Sequence, residues 1–276
     1  MHPFIRNLAV LLSCAGLSAC GGTQSSSQLR EAAAVKRLAV IPGGVHGLTV
    51  DGADNFYYSD SYGRGARSIY RLTAGRGSPL RTRITGSIPA GLEVIGNDFW
   101  MCDPGTGKVR RYDADLRDKE AFTVTQPWNL TRLPDGDLLA ATYSGAVELL
   151  RSGARAQVLF SGLDAPFDLA AQEDGNIWVS EQGAQGEGWV TLRRRNGAEI
   201  TRVGPFDNPE GLVLAADGTL WIADTGTGKI YRYDRTTGAL SLHTDAIELP
   251  IVGTEMRDGT IVFNGLKDGQ YGLFSM

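Results

Sequence analysis

Four polar side chains, His46, Asn129, Asp168 and Glu210, interrupt a recurring pattern that otherwise holds small or apolar residues. Aligning the segments that begin at Val45, Pro89, Pro127, Pro166, Pro209 and Pro250 gives one slot with His46, Ala90, Trp128, Phe167, Glu210 and Ile251. The next slot holds Gly47, Gly91, Asn129, Asp168, Gly211 and Val252. A residue found at one place in most copies serves the repeat. A polar residue that breaks the pattern in a single copy is a candidate for function. Asn, Asp and Glu supply the oxygen ligands that suit a hard cation such as Ca²⁺ or Mg²⁺. Glu181 is a fifth candidate: it stands where other copies carry Asp60, Asp103, Thr142 or Asp224, and it opens the long loop "QGAQGEG".

The elements that must position these residues are legible as a repeat. The heads "VHGLTVDGADNFYYSD", "PAGLEVIGNDFWMCD", "PWNLTRLPDGDLLAAT", "PFDLAAQEDGNIWVSE", "PEGLVLAADGTLWIAD" and "PIVGTEMRDGTIVFNG" follow one another at spacings of 38 to 44 residues. Periods of this length mark propellers and solenoids. Each head is a short apolar strand, a turn built on Asp-Gly, Asn-Asp or Asp-Asn, and an aromatic or β-branched strand. Such turns need residues that tolerate positive φ, which makes them hairpin signals. A third strand follows in every copy, for example "KIYRYDR", and a fourth in five of them, for example "LSLHTDAI". The chain ends on the third strand of copy six. The missing fourth strand is "VKRLAVI" at residues 35 to 41, ahead of copy one. Closing the ring in this way protects sheet edges. The expected fold is therefore all-β: a six-bladed β-propeller over residues 35 to 276, with four antiparallel strands per blade. The 36 glycines and 8% aromatic content agree with many turns and short strands.

Antiparallel strands put alternate connections on opposite faces of the ring. The heads and the acids that end each second strand share one face, so His46, Asn129, Asp168 and Glu210 are expected near the mouth of the central channel. The loops "QGAQGEG" and "SYGRGARS" belong to copies four and one, opposite each other, and are expected to wall a cleft. Loops on a rigid scaffold are where function concentrates.

Several other motifs read as structure. "GTGK" at Gly105 and Gly226 lacks the GxxxxGK[ST] spacing and a following helix, and sits in equivalent hairpins of two copies. Cys102 shares its slot with Ser59, Ala141, Ser180 and Ala223, a place for a small side chain. Asp60, Asp103 and Asp224 recur at the end of the second strand, where Asp accepts hydrogen bonds from the adjoining turn. The run Arg193 to Arg195 falls in an outer strand and reads as a solvated face. No Ser nucleophile elbow or HExxH motif is present.

The first residues are of another kind. Arg6 and the apolar run "LAVLLSCAGLSA" read as a secretory signal, too short to span a bilayer. The run ends in Leu17, Ser18, Ala19 and Cys20, which resembles the lipobox of bacterial lipoproteins. The resemblance implies cleavage after residue 19, acylation of Cys20 by palmitate-type chains, and a tether over residues 20 to 34. More than one acyl chain gives a stable membrane anchor. Gly21 after the cysteine, by likeness to Gram-negative lipoproteins, implies a cell-envelope location on the outer membrane, facing the periplasm. With Cys14 removed and Cys20 lipidated, Cys102 is left alone, so no disulfide or cysteine zinc site is expected. A net charge of −4 argues against nucleic acid as a partner.

"PEGLVLAADGTLWIADTGTGKIYRYD" resembles an NHL repeat. Beyond residue 35 the chain is similar to the six-bladed group of NHL proteins, the gluconolactonase (senescence-marker-protein) family and, more loosely, streptogramin lyase. The lactonase resemblance implies single Glu, Asn and Asp ligands for one divalent cation, set at the heads before glycine. Glu210-Gly211 matches that context. The first head carries His46-Gly47 where that family has Glu-Gly, and Asn129 and Asp168 precede leucine. Two functions follow. One is a lipid-anchored propeller that binds an envelope partner or a small ligand at the channel face without chemistry. The other is a divalent-metal hydrolase of lactones or esters, with Glu210, Asn129 and Asp168 as ligands and His46 or Glu181 as base. The incomplete ligand pattern favours binding. A lyase fits less well, because its family pattern relies on channel histidines and His46 is the only one at a head.

Overall fold

Six four-stranded antiparallel sheets stand in a ring, each formed by strands consecutive in sequence except the last. The computed structural model describes residues 35–60, 67–75, 77–85, 88–113, 115–183 and 186–276. The expected signal, Cys20 and the tether lie outside these residues, as does most of "SYGRGARS" and part of "QGAQGEG", and with them the cleft those loops were expected to wall. Among the described residues no helix is long and apolar enough to cross a membrane.

The innermost strands are Leu48–Val50, Leu92–Ile95, Pro127–Arg132, Pro166–Ala171, Pro209–Leu214 and Gly253–Glu255, one per blade. Each packs against the next, and Gly253–Glu255 returns to Leu48–Val50, so the ring is closed. The N-terminal strand Lys36–Val40 supplies the outer strand of blade six, pairing antiparallel with Gln270–Ser275, with Lys36 opposite Ser275 and Val40 opposite Gly272. Asn264 adds a buried tie between last and first blades: its Nδ2 donates to Val45 O at 3.1 Å while Val252 N donates to its Oδ1 at 2.8 Å.

The Asp-Gly turns form for the reason their residues suggest. Gly136, Gly175, Gly218 and Gly259 all take positive φ. The preceding Asp135, Asp174, Asp217 and Asp258 each accept the N–H two residues on, at 2.8 to 3.1 Å. These Asx turns set the hairpin register.

The core is a set of apolar layers between neighbouring blades. One layer joins Trp100, Cys102 and Val109 of blade two to Leu130, Leu138 and Leu150 of blade three. The small slot lies within these layers: Ser59, Cys102, Ala141, Ser180, Ala223 and Asn264 are all wholly buried. Burial pushes the Cys102 thiol well up from its ordinary range, so it packs as a small apolar side chain. The acids ending the second strands hold the link that leads into their own blade: Asp103 accepts Ile88 N at 2.9 Å and Asp224 accepts Asn208 N at 2.8 Å. Asp224 also accepts the Thr227 hydroxyl of the "GTGK" turn at 2.7 Å, so that turn is locked to the blade.

Candidate functional site in the central channel

The heads of blades three, four and five begin with a β-bulge: the register steps between Pro127 and Asn129, Pro166 and Leu169, and Pro209 and Leu212. A bulge breaks strand alternation and re-aims the side chains around it. Asp168 gains most from this. Its Oδ1 accepts Asn129 Nδ2 at 2.6 Å and its own neighbour Leu169 N at 2.8 Å. Its Oδ2 accepts Leu212 N at 2.8 Å, from blade five. Its backbone N–H donates to Ser180 Oγ at 2.9 Å, and that hydroxyl donates to Glu210 O at 2.8 Å. One carboxylate thus ties three inner strands together. Burial pushes its pKa up to about 7, with the Leu212 and Leu169 N–H groups working the other way.

The remaining candidates go elsewhere. Glu210 accepts Asn208 Nδ2 at 2.8 Å and Gln182 Nε2 at 3.3 Å. Burial raises its pKa to about 7, opposed by hydrogen bonds from Asn208 and Thr225. Its carboxylate does not line the channel cavity. His46 packs among aromatic rings, with centroids 5.3 Å from Trp128 and 5.9 Å from Phe167. Blades one and four face each other across the ring, so the His46–Phe167 contact spans the axis and the head end of the channel is filled. Burial lowers the His46 pKa to about 4, which leaves the ring neutral at pH 7. Glu181 is bound by Arg193 Nη2 at 2.9 Å, the Thr191 hydroxyl at 2.8 Å and Asp164 N at 3.1 Å. It is the blade-four counterpart of Asp103 and Asp224, with an ion pair added. Arg195 is paired as well, with Asp135 at 2.6 Å.

The structure therefore brings Asn129 and Asp168 into direct contact, links Glu210 to them only through its backbone carbonyl, and keeps His46 and Glu181 apart in settings of their own. Among the described residues, no group of three or more His, Cys, Asp or Glu side chains is placed to hold a metal ion. Asn129 turns its amide nitrogen toward Asp168, its oxygen accepts Leu130 N at 2.9 Å, and both Asp168 oxygens already accept N–H groups. In this arrangement Asn129 and Asp168 bond each other and the backbone, and the Glu210 carboxylate stands apart from them. The glycine beside Glu210 also has a packing reason: a Cβ at Gly211 would lie 2.9 Å from Val252 Cα.

Below the aromatic plug the channel opens into a cavity of about 230 Å³ between the six inner strands. It is lined by Glu93, Asp168 and Glu255 and by Thr49, Thr131 and Thr254, with leucines and valines between them, and among the described residues by no Lys, Arg or His. Glu93 is the group that sequence reasoning missed. Its pKa is pushed up to about 8, first by burial and then by the nearby Asp168 charge, with Arg132 working against both. The signal lay one alternation further along the head. Two residues past the Gly/Asn/Asp slot stand Thr49, Glu93, Thr131, Ala170, Val213 and Thr254, all of which line the cavity, and Glu93 is the sole acid among them.

No protein-family model and no curated protein matches the chain. Solved structures do. A gluconolactonase from Xanthomonas campestris superposes with a TM-score of 0.70 at 18% identity, over 87% of this chain and 89% of that one. A putative oxidoreductase (glucose dehydrogenase) from Thermus thermophilus gives 0.67 at 15% identity, over 88% and 99%. Virginiamycin B lyase from Staphylococcus aureus gives 0.63 at 17% identity, over 83% and 81%. At these identities the likeness is one of fold: the chain is a six-bladed β-propeller whose structural neighbours carry different chemistries.

Proposed function

We propose that the protein is a lipid-anchored cell-envelope β-propeller that binds a small ligand in its central channel without chemical turnover. The observation that carries this reading is the channel itself. It holds an open, polar-lined cavity of about 230 Å³ in which, among the described residues, no protein group donates a hydrogen bond to the Glu93 carboxyl. Asn129 and Asp168, two of the expected metal ligands, bond each other across blades three and four, and the Glu210 carboxylate bonds Asn208 and Gln182 instead. Pockets with a few placed polar groups on apolar walls are the usual form of a small-molecule site. The anchoring half of the proposal rests on Leu17-Ser18-Ala19-Cys20 and the polar tether behind it. It places the ring on the periplasmic side of the outer membrane, within reach of envelope partners.

The test is to purify the full chain from membranes without chelator and measure bound divalent ions and hydrolysis of lactones and esters. The expected outcome is no stoichiometric metal and no turnover. About one Ca²⁺ or Mg²⁺ per chain, lost in Glu210→Gln and accompanied by lactone hydrolysis, would overturn it in favour of a metal-dependent hydrolase of the kind its gluconolactonase neighbour represents. For the anchor, Cys20→Ser is expected to abolish palmitate labelling and to move the chain out of the membrane fraction.

A further inference from the structure

We propose that the channel cavity takes a small organic cation, an aliphatic ammonium compound, with Glu93 as its anionic anchor. The inference rests on the reading of the channel as a ligand site and names the chemical class of the ligand. Three acidic residues, Glu93, Asp168 and Glu255, line one cavity, and among the described residues no Lys, Arg or His lines it. Two of the three are already engaged. Asp168 accepts from Asn129, Leu169 and Leu212, and Glu255 accepts Ala216 N at 2.9 and 3.2 Å. Among the described residues nothing donates a hydrogen bond to Glu93, and no cationic group reaches ion-pair distance of it. A carboxylate offers about four acceptor sites. Glu93 is half-buried in the channel wall, and a carboxylate that has lost part of its hydration is stabilised by an opposite charge that meets it. Glu93 is thus the wall group with capacity to spare, and its natural complement is a cationic hydrogen-bond donor.

Size and wall chemistry choose among cations. A cavity of about 230 Å³ has room for about seven waters at roughly 30 Å³ each. That is far more than a bare metal ion occupies, and Ca²⁺ requires about six to eight oxygen ligands around one point. The wall mixes apolar side chains such as Leu92 and Leu212 with the hydroxyls of Thr49, Thr131 and Thr254. That mixture suits an ammonium group carried on a short carbon frame. The filled head end directs entry to the other face, where the inner strands end near Leu214 and Glu255.

The experiment is calorimetric titration of the full chain in detergent with 1,4-diaminobutane, with the uncharged 1,4-butanediol and with CaCl₂. The diamine is expected to bind and the diol is not. Glu93→Gln, nearly the same size, is expected to weaken diamine binding by about tenfold or more, as loss of a charge-assisted hydrogen bond does. Glu173→Gln removes the same charge from an exposed turn and is expected to leave binding unchanged. Thr254→Ile narrows the cavity without altering charge and is expected to weaken binding too. Circular dichroism checks that each variant is folded. The proposal is overturned by a diamine that does not bind, by a diol that binds as well, by full affinity in Glu93→Gln or Thr254→Ile, or by Ca²⁺ binding where the diamine does not. If the diamine fails while the chain holds no metal and hydrolyses no lactone, this inference falls and the non-catalytic reading stands. Lactone turnover removes the non-catalytic reading whatever the diamine does.

Discussion

Asn129 Nδ2 donates to Asp168 Oδ1 at 2.6 Å across the boundary between blades three and four, and the other oxygen of Asp168 accepts Leu212 N of blade five at 2.8 Å. These two residues, expected as metal ligands, form a clasp between inner strands. Asp168→Ala strips the acceptor from two buried donors on neighbouring blades. At about 1–3 kcal/mol for each buried donor left unpaired, the variant is expected to lose several kcal/mol. A protein of this size loses about 2–4 °C in Tm per kcal/mol, so thermal unfolding should show a drop of the order of 10 °C. Asp168→Asn keeps an acceptor and should lose much less. An unchanged Tm in Asp168→Ala would show that the clasp is not structural.

Close approach of inner strands makes a second prediction. A Cβ at Gly91 would sit 2.5 Å from Asn129 Cα and 2.7 Å from Trp128 O, both on the next blade. Neither atom can step aside without moving a strand. Gly91→Ala should therefore cost about 1–3 kcal/mol or more through overpacking. Gly52→Ala, whose Cβ meets nothing within 4 Å, should leave Tm within about a degree. Parallel melting curves of the two variants decide it.

The pH dependence follows from Glu93. Its pKa rises from the usual 4.5 to about 8 on folding. A raised acid pKa means that the folded state binds the proton more tightly. The associated stability is fully present below pH 4.5 and is lost as pH rises through about 8. Desolvation is the largest cause of the shift, the Asp168 charge on blade four adds to it, Arg132 on blade three opposes it, and Glu255 of blade six shares the same cavity. Asp168 and Glu210, each raised to about 7, act in the same direction. Tm is expected to fall between pH 5 and pH 9, and Glu93→Gln is expected to flatten part of that slope. A Tm that rises over this range would contradict the assignment.

Glu181 gives a prediction against its reading as a base. Its ion pair with Arg193 is largely buried, with side-chain exposures of 10% for Glu181 and 15% for Arg193, and it also accepts the Thr191 hydroxyl and Asp164 N. Glu181→Ala leaves the guanidinium without one partner while Glu199 remains at 3.3 Å. The expected loss is about 1–3 kcal/mol, read as lower urea resistance, with diamine affinity unchanged. Loss of binding without loss of stability would assign Glu181 to the ligand site.

The ring was legible in the sequence because its cause is local and repeated. Asp135-Gly136 and its equivalents dictate the hairpins, strand alternation dictates the faces, and the unmatched strand at residues 35 to 41 dictates how the circle closes. The small slot around Cys102 and the structural nature of "GTGK" followed from the same repetition. The channel was not legible in this way. The bulges at Pro127, Pro166 and Pro209 shift alternation by a residue, so slot equivalence fails at the heads themselves, although the slot two residues further on lines the cavity in all six blades. Whether Asn129 meets Asp168, whether His46 reaches Phe167 across the ring, and whether Glu93 is left without a partner depend on the spacing between blades that are tens of residues apart. One strand's sequence decides what that strand can offer. Only the closed ring decides which offers meet.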